Sequence, residues 1–171
     1  MLVQARQPMT RALALLDRLV FAAIVLLMAA MVTDVTIQVL WRYVFQDPPT
    51  WTEELARYLF AWEIFLGAGL AFGRKAHIVV DVVFMALRGT TRRIFVILGD
   101  VIVLAFLLAL LWQGAGMVML TGDTYSTALH LNIGIVYAAL PVGAAIGAVF
   151  LLANLIRFLG GDETPAEPTL I

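Results

Sequence analysis

Between positions 34 and 81, the chain places Asp34, Arg42, Glu53, Glu54, Arg57, Glu63, His77 and Asp81 in or beside apolar runs of membrane length. Ionisable groups at that depth are costly, so they mark ion or proton paths or pair between helices or subunits. The other ingredients of site chemistry are missing. The sequence has no HExxH, GxSxG or phosphate-loop pattern, so the common hydrolytic and nucleotide-binding arrangements have no anchor. With no cysteine, structural disulfides, thiolate metal centres and quinone-coupled thiol oxidation are excluded. The only histidines are His77 and His130. The topology derived below puts them on opposite sides of a bilayer, where they cannot jointly ligate one haem. No cofactor is expected. The acids and bases are therefore candidates for holding helices or subunits together.

The elements that position them are membrane helices. The chain of 171 residues is 63% hydrophobic and 13% charged, against about 45–50% and 25% in soluble domains. Its net charge of −1 gives no reason to expect nucleic acid as a partner; the lipid bilayer is the expected surrounding. Four apolar runs, about 18–44, 51–72, 94–120 and 133–159, reach the length a spanning helix needs. They make residues 13–159 an all-α membrane domain, preceded by a short segment 1–12. The first run exceeds the apolar core of a secretory signal and lacks a small-x-small cleavage site, so it reads as a retained helix. The segment 76–88, between the second and third runs, is too short to span and is bounded by Arg74, Lys75 and Arg88. It reads as a helix near the membrane surface. The tail 160–171, with two prolines and three acids, reads as disordered.

Basic residues set the orientation. Arg6, Arg11, Arg18, Arg74, Lys75, Arg88, Arg92, Arg93 and Arg157 fall on one side and only Arg42 and Arg57 on the other. Both termini are then cytoplasmic. At about 1.5 Å rise per residue, Asp34 and Arg57 lie at about 24 and 26 Å above the inner helix ends, and Arg42, Glu53 and Glu54 between about 30 and 36 Å. Two ion pairs follow: Asp34 with Arg57, and Arg42 with Glu53 or Glu54. The competing reading leaves the outer charges solvated at headgroup level. Glu53 and Arg57 also have the favourable i, i+4 spacing, and Thr50 with Glu53 fits a capping box. Glu63 lies about 16 Å up, near the bilayer centre, with no evident partner in its own chain. It either meets a polar group of another chain or stays protonated against a carbonyl or water. Gly67, Gly69, Ala71, Gly143 and Gly147 offer close helix packing, and Pro141 places a kink in the fourth run.

An ordered set of residues resembles a known family. Arg42-Tyr43-Val44-Phe45, Pro49, Trp51, Glu53-Glu54, Arg57, Trp62, Phe65-Leu66-Gly67-Ala68, Arg74, His77-Ile78 and Asp81 are followed by Ser126-Thr127-Ala128-Leu129 and Tyr137-Ala138-Ala139-Leu140-Pro141-Val142-Gly143. Together they resemble the small, DctQ-like membrane subunit of tripartite ATP-independent periplasmic (TRAP) transporters, over about residues 13–159. Positions 130–134 depart from that pattern. The resemblance implies a four-helix, non-enzymatic subunit of the bacterial inner membrane. Its implied partners are a large multi-span transport subunit and a periplasmic solute-binding protein, and its implied role is to scaffold sodium-driven uptake of an organic acid. Two other readings of the charges are a membrane anchor of a redox complex and an autonomous small channel or carrier.

Overall fold

The computed structural model describes residues 6–47, 49–74 and 90–160. Every regular element among them is helical: α1 (Arg6–Leu40), a π-helical turn (Trp41–Phe45), α2 (Thr50–Gly73), α3 (Thr90–Leu120), the short α4 (Ile133–Tyr137) and α5 (Ala139–Leu159). Four stretches are long and apolar enough to cross a bilayer: Arg11–Phe45, Thr50–Gly73, Arg93–Leu120 and Ile133–Leu159. The surface-helix expectation for 76–88, with His77 and Asp81, lies outside the described residues, as does the tail from position 161.

The helices form a row rather than a closed bundle. α1 packs on α2, α2 on α5, and α5 on α3. The edge helices bury little of their apolar windows, 11% for the first span and 6% for the third, against 33% for the last. Leu26, Trp112, Met119 and Leu120 are among the large side chains left exposed. In lipid such faces carry no penalty, and association between helices rests on close packing rather than on escape from water.

Two clusters hold the row. Val20 of α1, Leu66 and Leu70 of α2 and Phe150 of α5 form one; Leu107 of α3 with Ala144 and Leu151 of α5 form the other. The α2–α5 crossing is tightest at Gly143. A Cβ there would fall against the Phe65 carbonyl and 2.8 Å from the Phe65 Cβ, closer than side-chain atoms pack. Gly67, also read from the sequence as a packing glycine, has nothing within 4 Å of where a Cβ would stand. Pro141 accounts for the break between α4 and α5. It lacks the N–H that would bond to Tyr137, and its ring crowds that carbonyl.

At the C-terminal end of α2, Arg74 makes two bonds of 3.2 Å to Asp17, and its guanidinium lies 4.7 Å from the Phe21 ring centre. This pair staples α1 to the end of α2, and sequence reasoning missed it.

Candidate functional site

Five of the six charged candidates between 34 and 63 fall into three groups, with Arg57 standing apart: an exposed pair, an anchored carboxylate and two unpartnered acids. The exposed pair is Arg42 with Glu53, 3.5 Å apart, with both side chains more than half exposed. It joins the π-helical turn to the first turn of α2. Exposed pairs of this kind add at most about 1 kcal/mol. The capping box does not form. Pro49, not Thr50, stands at the N-cap and no side chain caps the helix. Glu53 turns to Arg42, while the fully buried Thr52 donates its hydroxyl to the Pro49 carbonyl at 2.8 Å.

Glu54 is the anchored carboxylate. One residue on from Glu53, it points about 100° around the helix and is 7% exposed. Its Oε2 accepts from the backbone N–H groups of Ala128 and Leu129, each at 2.9 Å, and its Oε1 accepts from the Tyr58 hydroxyl at 2.5 Å. The loop it holds, 121–132, is itself tightly bonded. Ser126 N–H donates to the Leu131 carbonyl at 2.8 Å and Ser126 Oγ accepts from Leu131 N–H at 3.1 Å. His130 turns the chain with a left-handed φ of 50°. Asn132 then accepts from Gly134 N–H at 2.7 Å, capping α4, and donates to the Gly122 carbonyl. Glu54 thus ties a shaped loop between α3 and α4 to the start of α2. Its loop partners are backbone amides 74 and 75 residues away, which no pairing of charged side chains could reveal.

Asp34 and Glu63 are the unpartnered acids. The structure corrects the expected Asp34–Arg57 pair. Asp34 is 3% exposed and neither of its oxygens has a hydrogen-bond partner. Arg57 is exposed and makes no ion pair among the described residues. The levels agree and the rotation does not. Asp34 lines a groove with Trp51 and Leu55 of α2, and Arg57, two residues past Leu55, points about 200° away. Glu63 is 8% exposed and its Oε1 is unbonded. It shares the buried face of Leu66 and Leu70 by i+3 and i+7 spacing, the face that packs against Val20 of α1 and Phe150 of α5. Asp34 thus lies on the α1–α2 seam and Glu63 on the buried face of α2. Among the described residues no cluster of acids and histidines could hold a metal ion.

This arrangement defines a class: a multi-pass membrane protein with charged anchors and buried acids and, among the described residues, no catalytic constellation. The family follows from comparison with known proteins. A family model for the DctQ component of tripartite ATP-independent periplasmic transporters matches residues 31–161, and the chain belongs to that family. It is a TRAP small permease subunit of the inner membrane and not an enzyme. Similar proteins include the isethionate TRAP transporter permease protein DctMQ of Oleidesulfovibrio alaskensis, 33% identical over 80% of this chain and 23% of that one. A putative TRAP transporter small permease protein of Haemophilus influenzae is 28% identical over 76% of this chain and 81% of its own. The C4-dicarboxylate TRAP transporter small permease protein DctQ of Rhodobacter capsulatus is 29% identical over 67% of this chain and 52% of its own. The chain thus spans under a quarter of the isethionate permease and about half of the dicarboxylate protein. The redox-anchor reading finds no support in these relatives.

Proposed function

We propose that this chain braces a large, multi-span transport subunit in the inner membrane for sodium-driven uptake of an organic acid, which a periplasmic binding protein delivers. The family match over residues 31–161 carries this reading. The isethionate relative supports the partnership, because its name joins M and Q components and this chain accounts for only 23% of its length. The solutes in the relatives' names, isethionate and C4-dicarboxylate, are organic acids and support that substrate class. With both termini cytoplasmic, as the basic residues imply, the Glu54-anchored loop faces the periplasm, the side on which a binding protein arrives. Asp34 and Glu63 are the proposed contacts with the large subunit.

The test is sodium-gradient uptake in proteoliposomes holding this chain, its large transport subunit and the binding protein, with each omitted in turn. Uptake of an organic acid that needs all three agrees with the reading. Full uptake without this chain would refute the bracing role.

A further inference from the structure

The unpartnered carboxyl of Asp34 points to the chemistry of the group that meets it, an inference that rests on the bracing role proposed above. Asp34 lines a groove of about 370 Å³ whose other walls are Ala29, Ala30, Thr33 and Ile37 of α1 and Trp51 and Leu55 of α2. The groove is apolar apart from this carboxyl, the Thr33 hydroxyl and the Trp51 indole N–H. Thr33 is already engaged, donating its hydroxyl to the Ala29 carbonyl at 2.8 Å, and one turn on Thr36 does the same to Val32 at 2.7 Å. Neither cation of the chain's outer half meets the groove. Arg42 is bonded to Glu53, and Arg57 lies on the opposite face of α2, where its long side chain can extend to the outer interface.

Depth narrows the choice of occupant. Asp34 stands six residues from the middle of the Arg11–Phe45 span, about 9 Å along a helix axis and inside a hydrocarbon half-thickness of about 15 Å. A lipid headgroup ammonium lies beyond that depth. A carboxylate buried there without a partner is strongly disfavoured, and because its oxygens are closed off in this chain alone, a partner side chain from a neighbouring membrane helix has to enter through the groove. The small residues Ala29 and Ala30 leave room for such a helix to approach.

We propose that Asp34 receives an arginine or lysine side chain from a membrane helix of the large transport subunit, seated in the groove between α1 and α2.

The experiment is purification of the co-expressed complex through a tag on this chain, comparing wild type, Asp34→Asn and Asp34→Leu, with thermal unfolding of each full-length chain expressed alone. An interface acid has effects of opposite sign in the two measurements. Asp34→Leu leaves the isolated chain as stable as wild type or more so, because an unpaired buried carboxyl is removed. The same change lowers the large subunit retained by tenfold or more, as loss of one partner of a buried charge pair does (~2–5 kcal/mol). Arg→Leu and Lys→Leu changes in the large subunit's membrane helices then include one whose effect does not add to that of Asp34→Leu. Retention unchanged in Asp34→Leu, or an isolated chain that loses stability, overturns the proposal. So does additivity at every basic position. A dimer of the isolated chain that needs both Asp34 and Arg57 assigns the groove to a second copy and also overturns it. Wild type that retains no large subunit refutes the bracing role itself.

Discussion

Replacing Gly143 with alanine should loosen the α2–α5 crossing, whereas the same replacement at Gly67 should not. At 143 the new methyl would meet the Phe65 carbonyl carbon at 2.7 Å and the Phe65 Cβ at 2.8 Å, where ordinary contact begins near 3.4 Å. The obstructing atoms belong to the backbone or are fixed to it, so they cannot rotate aside and the helices must separate by several tenths of an ångström. Overpacking of this kind costs about 1–3 kcal/mol. Alanine regains up to about 1 kcal/mol of helix propensity over glycine, so the net loss is up to about 2 kcal/mol. At Gly67 nothing lies within 4 Å of the new atom, and only the propensity gain of up to about 1 kcal/mol remains. That gain is common to both, so the variants should differ by the overpacking cost, about 1–3 kcal/mol, with Gly143→Ala the less stable. Reversible unfolding of the isolated chain in mixed detergent micelles measures this directly. Equal stabilities for the two variants would refute the account of the crossing.

Glu54→Ala should release the 121–132 loop, seen as hydrogen exchange at Ala128 and Leu129 faster by about tenfold or more, while Glu54→Gln, which keeps one acceptor, should fall between. Glu53→Ala should leave those amides protected, because Glu53 touches only Arg42. Asn132→Ala should lower unfolding stability by about 1 kcal/mol through loss of the α4 cap. Asp17→Arg and Arg74→Asp should each lower the melting temperature, and the double reversal should recover part of the loss.

Hydropathy made the fold class legible, because four apolar runs separated by prolines or charged turns leave few alternatives. Height along the helices was legible for the same reason. Arg57 precedes Arg74 by as many residues as Asp34 follows Asp17, so Asp34 and Arg57 share a level just as the bonded Arg74–Asp17 pair does. Rotation was not legible. Leu55 lines the groove with Asp34, and Arg57, two residues further on, points about 200° away from it. Glu54 was legible as a charge at the outer end but not as an anchor, because backbone amides have no residue code. The loop that supplies them is shaped by Ser126 and Asn132, each bonding within the loop. Glu63 was legible as a midplane acid without a partner in its chain, and the unbonded Oε1 leaves that question with the neighbouring subunit.

The most direct measurement of the central claim is the composition of the complex that a tag on this chain recovers from membranes expressing it with its neighbouring large subunit. The account predicts an equimolar pair that survives mild detergent and takes up an organic acid only when the binding protein is added. Recovery of this chain alone, or solute uptake by this chain alone in proteoliposomes, would contradict it.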